Sequence, residues 1–176
     1  DRLERQNVVF VAIDGMCGSG KTHLANLLAD LWEAEIIRAD DFFLPKNMRS
    51  EERLNQAGGN VHYERLAETL AQAAVHRPFD YLRYDCGLDC FTQKSFSPKR
   101  LVIVEGTYSL RTELQRYYDV QVQLNVSKLT QTGRLVAREG MDGYNAFRDR
   151  WIPLENRYFQ SLDENADRIV IDTTDF

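Results

Sequence analysis

The sequence predicts a three-layer α/β fold built around a mostly parallel β-sheet. Short runs of β-branched and other apolar residues recur along the chain and have the length of buried strands. Longer stretches with apolar residues at helical spacing separate these runs. Strands that alternate with helices are typical of a parallel sheet covered by helices. The predicted strands are Val8 to Ile13, Glu35 to Arg38, Leu101 to Val104, Val120 to Val126 and Ile169 to Ile171.

Helices are predicted between these strands from apolar residues that share one helical face. Leu24, Leu27, Leu28 and Leu31 give the first stripe, and Leu66, Leu70 and Ala74 give the second. Near the C-terminus, Lys128 to Glu139 and Trp151 to Leu162 read as helices with a break from Gly140 to Gly143.

Length and composition favour one globular domain over residues 1–176. A chain of 176 residues can bury a core without disulfide or metal staples. Its three cysteines make an odd count, which favours free thiols in a reducing compartment and therefore a cytoplasmic protein. Metal binding by these thiols is disfavoured because their spacing fits no common zinc pattern.

Charge and hydropathy exclude two classes of partner. With 22 Lys and Arg against 27 Asp and Glu, the net charge of -5 has the wrong sign for a nucleic-acid-binding face. The apolar run from Val8 to Ile13 is far shorter than the roughly 20 residues of a membrane span, and no secretory signal is visible. We therefore expect neither nucleic acid nor membrane as a partner, and the oligomeric state stays open.

The segment from Gly15 to Thr22 matches the phosphate-binding pattern G-x-x-x-x-G-K-[ST]. It lies between a predicted strand and a predicted helix, which is the context that the pattern requires. Backbone NH groups around Gly15, Gly18, Ser19 and Gly20 should point at phosphate oxygens beside the helix N-terminus. Lys21 should neutralise the β- and γ-phosphates, and the Thr22 hydroxyl should bind Mg²⁺. We therefore expect ATP and Mg²⁺ as cofactors. The GTPase class is disfavoured because no N-K-x-D segment is present.

Carboxylates follow two of the predicted strands, at the sheet edge where ligands of α/β proteins bind. Glu105 ends one strand and can reach Mg²⁺ directly or through water. Asp40 and Asp41 follow another strand, and one of them could accept a proton from an attacking hydroxyl. The alternative for this pair is a structural turn or helix cap.

Arg134 and Arg138 are four residues apart on one predicted helix and should project from one face. They could clamp the transferring phosphoryl group, with Gly140 and Gly143 allowing a lid over about residues 134–150 to move. Arg148 and Arg150 are weaker candidates for the same role. Two solvated arginines are the alternative for Arg134 and Arg138.

These motifs together resemble the uridine kinase family, and the related nicotinamide riboside kinases share the pattern Asp-Asp-Phe-Phe. The resemblance rests on the phosphate-binding segment and on the stretches 40–45, 58–61, 84–85, 104–106 and 150–156. It implies a P-loop NTPase fold with an acceptor-binding insertion over about residues 45–62 and a C-terminal lid. Asp40 matches the family's catalytic base, while Thr22 and Glu105 match its Mg²⁺-supporting positions.

The resemblance also implies where the acceptor binds. Phe43, Tyr84 and Asp85 fall in the family's acceptor region, as does His62 or, with a shifted alignment, Glu64. His62 stands where the family has a ribose-binding Asp, and Cys86 and Asp89 stand where an aromatic residue and a His are usual.

The function predicted from the sequence is transfer of the γ-phosphoryl group of ATP to the 5′-hydroxyl of a nucleoside, uridine or cytidine first. An alternative keeps the fold but uses nicotinamide riboside, a nucleoside monophosphate or a vitamin-like alcohol, with Arg49 and Arg53 as anion ligands. A third hypothesis is a nucleotide-binding regulator without transfer activity. Asp40 argues against it, because a pure switch needs no acceptor base.

Overall fold

The computed structural model describes residues 8–163 and 166–176. Five parallel strands form the central sheet in the order β2-β5-β1-β6-β7, so the first strand lies in the middle. This confirms the predicted α/β fold with a mostly parallel sheet, and each predicted strand is present with ends shifted by at most two residues. The strands of this sheet are β1 (Val9–Gly15), β2 (Glu35–Arg38), β5 (Leu101–Glu105), β6 (Val120–Asn125) and β7 (Ile169–Asp172).

Six α-helices connect the strands in the described part of the chain. They are α1 (Lys21–Trp32), α2 (Glu51–Leu54), α3 (Tyr63–Ala73), α4 (Thr112–Gln115), α5 (Lys128–Ala146) and α6 (Ile152–Ser161). None of the helices in the described residues is long and apolar enough to cross a membrane.

The core has two parts, one on each face of the sheet, because side chains of a strand alternate between faces. On one face Val9 and Ile13 of β1 pack with Ala25 of α1. On the other face Phe10 and Ala12 pack with a larger group from α3, α4 and α6. The result is the predicted arrangement of helices on both sides of one sheet.

A two-stranded antiparallel hairpin lies outside the central sheet and was not predicted. It consists of β3 (Phe79–Asp85) and β4 (Cys90–Phe96). Most of its side chains are exposed, so its sequence lacks the apolar run by which the sheet strands were found. The hairpin follows α3 and stands beside the predicted insertion.

Three helical predictions need adjustment. In α1, Leu27 and Leu31 of the predicted apolar stripe are exposed, and Ala25 packs on the sheet with Leu24 and Leu28.

The other two adjustments concern α3 and α5. Ala73, rather than the exposed Ala74, completes the buried face of α3 with Leu66 and Leu70. The predicted break begins at Gly140, whose φ of 71° and ψ of 175° interrupt the helical geometry, but the helix resumes and runs to Ala146. A π-helical turn (Phe147–Trp151) then leads into α6.

Candidate active site

The turn after β1 forms a cradle of backbone NH groups. Gly18 and Gly20 have φ angles of 77° and 90°, a left-handed conformation that glycine adopts far more readily than other residues. Helix α1 begins at Lys21, and the first amides of a helix have no intrahelical partner. A curled backbone that meets a helix N-terminus attracts phosphate oxygens.

Lys21 lies across this cradle. Its ammonium group donates to the carbonyl oxygens of Gly15 at 2.8 Å and Met16 at 2.9 Å, and its side chain is buried. The Ser19 hydroxyl is also buried, and it has no hydrogen-bond partner among the described residues. Within the described residues, the hydrogen bonds of this buried cation go to carbonyl groups, and the Ser19 hydroxyl has no partner; both features fit a phosphate ligand.

Three side chains meet where β5 ends beside α1. The Thr22 hydroxyl lies 3.3 and 3.4 Å from the two carboxylate oxygens of Glu105. Arg38, at the end of β2, donates to the same carboxylate at 2.6 Å. Arg38 and Glu105 lie close together because they are register partners at the carboxyl edge of the parallel sheet.

Asp40 and Asp41 have different surroundings. Asp40 faces the open cavity and is solvent-accessible, yet the surrounding protein partly desolvates its carboxylate. This desolvation, together with repulsion from Glu105, raises the pKa of Asp40. Asp41 is buried and binds Lys94 at 2.8 Å and the Tyr81 hydroxyl at 3.1 Å. Asp41 therefore fastens the hairpin, and Asp40 remains available to a ligand.

A cavity of about 510 Å³ opens in front of these residues. The carboxyl edge of the sheet forms its floor, the segment 43–61 contributes one wall, and the segment 138–155 contributes another. The predicted site residues that line it are Gly18, Lys21, Thr22, Asp40, Phe43, Glu105 and Arg138. A second cavity of about 220 Å³ lies beside the helix N-terminus and includes Gly20, Arg134 and Arg138.

The two predicted lid arginines have separate environments. Arg134 donates to the carbonyl oxygens of Gly18 at 3.1 Å, Thr173 at 2.7 Å and Phe176 at 2.7 Å. It joins the phosphate cradle to the segment after β7. Arg138 is exposed, lines both cavities, and pairs with its neighbour Glu139 at 2.6 Å. Of the two, Arg138 has the freedom that a clamp requires.

Three predicted acceptor residues do not line the cavity. The His62 imidazole caps α3 by accepting from the Arg65 amide at 3.3 Å. The hydroxyl of the buried Tyr84 bonds to Asp89, and Asp85 accepts from the amides of the hairpin turn. Their part in acceptor binding stays a prediction, and the structure gives each of them a local structural partner.

Two buried carboxylates were not singled out from the sequence. Asp14, just before the cradle, accepts from the amides of Gly15, Tyr108 and Leu110 at 2.7, 3.1 and 2.8 Å. Its fourth partner is the Tyr158 hydroxyl of α6 at 2.6 Å. Burial raises the pKa of Asp14 despite these bonds.

Glu155, one turn before Tyr158 on α6, accepts from the Cys17 amide at 2.9 Å and lines the main cavity. Burial raises the pKa of Glu155 as well. In the sequence these contacts leave one trace: Glu155 precedes Tyr158 by three residues, so both lie on one face of a helix. Solvated helices often carry the same spacing, so it does not predict the contacts.

The side chains at the cavity floor fit a hard divalent cation with phosphate ligands. Thr22 and Glu105 supply oxygen atoms, which Mg²⁺ prefers. The carboxylates of Asp40 and Glu105 repel each other, and a bound cation would reduce this repulsion. The unpartnered Ser19 hydroxyl and the Lys21 ammonium lie on the phosphate side.

Comparison with known proteins finds solved structures that have a similar fold. No protein-family profile matches the chain, and no curated protein matches it. A solved protein from Silicibacter sp. TM1040, provisionally described as a fructose transport system kinase, is similar with a TM-score of 0.77 and 22% identity over 97% of this chain and 95% of that chain.

Two further solved structures are similar. One, from Bacillus stearothermophilus, is described as a possible uridine kinase; it has a TM-score of 0.73 and 20% identity, and 95% of this chain and 90% of that chain are covered. A gluconokinase from Sinorhizobium meliloti has a TM-score of 0.55 and 16% identity, and the match covers 96% of this chain and 84% of that chain. The chain therefore has the fold of the P-loop kinases.

Proposed function

We propose that this protein is an ATP-dependent kinase that phosphorylates a hydroxyl group of a small molecule. The observation that carries the proposal is the position of Asp40. Its carboxylate faces the same cavity as Lys21 and Thr22 of the phosphate cradle, and it has no ion-pair partner in the described part of the chain. A nucleotide-binding switch has no need of such a group, whereas hydroxyl phosphorylation uses it to orient the acceptor and take its proton.

The residues divide the work of the proposed reaction. The cradle amides and Lys21 bind the phosphates of ATP, while Thr22 and Glu105 would hold Mg²⁺, which supplies charge neutralisation on the phosphoryl oxygens when bound. Asp40 accepts the proton of the acceptor hydroxyl. Arg138 offsets the negative charge that develops on the transferring group.

The acceptor proposed from the sequence resemblance is a nucleoside, with transfer to the 5′-hydroxyl of uridine or cytidine. One solved neighbour described as a possible uridine kinase supports the choice of nucleosides as the first acceptors to test. The other neighbours are described as kinases of fructose transport or gluconate, so sugars and sugar acids belong in the same panel. Phe43, at the cavity wall, offers an aromatic surface for an acceptor ring.

The test is ADP release from ATP and Mg²⁺ across a panel of nucleosides, nicotinamide riboside, sugars, sugar acids and nucleoside monophosphates. Acceptor-dependent ADP release above the rate without acceptor supports a kinase. The Asp40→Asn variant should lose this acceptor-dependent rate while it still binds ATP. Tight ATP binding with no stimulation by any acceptor would favour a regulatory protein instead.

A further inference from the structure

We propose that the acceptor carries an anionic group, a carboxylate or a phosphate, in addition to the hydroxyl that is phosphorylated, and that Arg49 and Arg150 bind this anion. The inference rests on the proposed kinase function and specifies the acceptor of the same cavity. It follows from the partners of the cavity's arginines, which leave two of them without a compensating carboxylate.

Arg49 lies on the wall formed by the acceptor-binding insertion. Its Nε donates to the Leu44 carbonyl oxygen at 2.7 Å, and its Nη2 lies 3.5 Å from the Cys86 sulfur. Its Nη1 makes no hydrogen bond with any described residue. Both partners are neutral, so they hold the guanidinium in place without neutralising its charge. The side chain is half-buried and lines the cavity.

Arg150 reaches the same cavity from a different segment, the π-helical turn between α5 and α6. Within the described residues its guanidinium contacts only the ring of the adjacent Trp151, with 5.4 Å to the ring centroid. Neither Arg49 nor Arg150 has a carboxylate within salt-bridge distance in residues 8–163 and 166–176. Two arginines on separate walls therefore face one cavity without a paired carboxylate in the described residues, and only the more distant charge of Asp89 acts on Arg49.

Other cations near the insertion show that pairing with carboxylates is common here. Arg53 binds both oxygens of Glu64 at 2.9 and 3.0 Å, so it is already neutralised and does not serve as the anion ligand. Lys46 pairs with Asp89 at 3.3 Å, outside the cavity. Arg38 pairs with Glu105. Against these neighbours, Arg49 and Arg150 keep the free donors that a planar carboxylate or a phosphate takes.

The carboxylates of the cavity are committed elsewhere. Glu105 is held by Arg38 and Thr22, and Glu155 accepts the Cys17 amide. Asp40 is assigned to the hydroxyl that reacts. A neutral uridine or cytidine would supply that hydroxyl but would bring no anion of its own to the two guanidinium groups. A nucleoside acceptor would therefore need a charged substituent, and a hydroxy acid or a phosphorylated alcohol would meet the requirement directly.

The experiment compares matched acceptor pairs that differ by the anion. Gluconate with glucitol, and glycerate with glycerol, test a carboxylate. Glycerol 3-phosphate with glycerol, and uridine 3′-phosphate with uridine, test a phosphate. For each pair kcat/KM is measured from ADP release, and binding of each compound is measured by calorimetry with a non-hydrolysable ATP analogue present.

We expect an anionic member of at least one pair to have a kcat/KM about 10- to 100-fold above its neutral counterpart, the range expected for hydrogen bonds to a charged group. Arg49→Gln should remove most of that preference and should act mainly on acceptor KM. The exposed Arg150→Gln should reduce it with little risk to folding. The matched control is Lys46→Gln, on the same loop as Arg49 but outside the cavity, and it should keep the preference.

The outcomes separate this inference from the kinase proposal. Equal or better turnover of the neutral members, or equal losses on both members in Arg49→Gln and Arg150→Gln, would overturn the anion site and leave the kinase intact. Binding of anionic compounds that depends on Arg49, without ADP release from any acceptor, would support the site and contradict the kinase. Neither binding nor ADP release with any compound would overturn both.

Discussion

The side chain of Asp40 decides between a kinase and a passive nucleotide-binding site. Asp40→Asn should lower kcat by about 10²- to 10⁴-fold, because Asn keeps the size of the side chain but cannot accept a proton. Binding of ATP and Mg²⁺, measured by calorimetry with a non-hydrolysable analogue, should change little. Unchanged turnover with the best acceptor would remove Asp40 from the mechanism.

Asp41→Asn is the control for this prediction, because it changes the neighbouring residue in the same way. Asp41 is buried and binds Lys94 and Tyr81, so its loss should lower the free energy of unfolding by roughly 1–3 kcal/mol. Its effect on kcat should be much smaller than that of Asp40→Asn. Chemical denaturation and steady-state kinetics of both variants separate the two roles.

The pKa of Asp40 sets the acid limb of the pH–rate profile. Desolvation and the nearby Glu105 raise this pKa, so Asp40 becomes protonated at a higher pH than an ordinary aspartate. The active form is the deprotonated base, and kcat/KM for ATP, which reports the protein before it binds nucleotide and Mg²⁺, should therefore fall as the pH drops, with a midpoint above the ordinary aspartate value. Rates between acidic and neutral pH measure it, and a midpoint at or below that value would contradict this prediction.

Helix α5 carries Arg134 and Arg138, for which we predict different roles. Arg134→Ala should weaken ATP binding and lower the melting temperature, because it removes three hydrogen bonds that join the cradle to the segment after β7. Arg138→Ala should lower kcat more than it weakens ATP binding, because its exposed guanidinium, paired only with the neighbouring Glu139 in the described residues, can turn toward the transferring group. Thermal unfolding and the separation of kcat from KM test both, and the reverse pattern would exchange their roles.

Helix α6 contacts the strand before the cradle through a hydrogen bond from the Tyr158 hydroxyl to Asp14. Tyr158→Phe removes one hydrogen-bond donor from a fully buried carboxylate, which should cost about 1–3 kcal/mol of unfolding free energy. The matched control is Tyr117→Phe, whose hydroxyl meets an exposed Arg116, and it should cost less than about 0.5 kcal/mol. Equal effects in urea denaturation would show that the Tyr158–Asp14 bond contributes nothing specific.

Elements with strong apolar periodicity could be predicted from the sequence, and others could not. Strands β1 and β5 are buried and apolar, and even the largely exposed β7 keeps an apolar run, so these strands were visible in the sequence. Glycines at fixed spacing marked the cradle. The hairpin β3–β4 was missed because its stability comes from packing of a few aromatic residues, such as Phe79 on Phe96, rather than from a continuous apolar run.

The candidate site was predictable where a local motif carries the chemistry. Lys21, Thr22, Asp40 and Glu105 all reach one cavity because parallel strands end at one edge of the sheet. The contacts of Glu155 and Arg134 are with residues at least 39 positions away in sequence, and spacing along one helix does not reveal them. From the sequence, Arg49 and Arg53 have the same candidate role as anion ligands. The structure distinguishes them, because Arg53 is paired with Glu64 whereas Arg49 has only neutral hydrogen-bond partners among the described residues.

For the whole molecule, the fold brings a phosphate cradle, a candidate base and two arginine-bearing walls around one cavity. We propose that this cavity transfers a phosphoryl group rather than only binding a nucleotide. Its three parts come from distant stretches of the chain, so a defect in one of them should stop transfer without unfolding the rest. Lys21 is the cation that the carbonyl oxygens of Gly15 and Met16 hold across the cradle.

The most direct measurement is mass-spectrometric detection of the phosphorylated acceptor after incubation with ATP labelled at the γ-phosphoryl group, for the wild-type protein, Lys21→Ala and Asp40→Asn. We expect labelled phosphoryl on an acceptor hydroxyl with the wild type. Both variants should lose the product, with ATP binding weakened in Lys21→Ala and kept in Asp40→Asn. ATP binding by the wild type without labelled product from any acceptor, or full product formation by Asp40→Asn, would contradict this proposal.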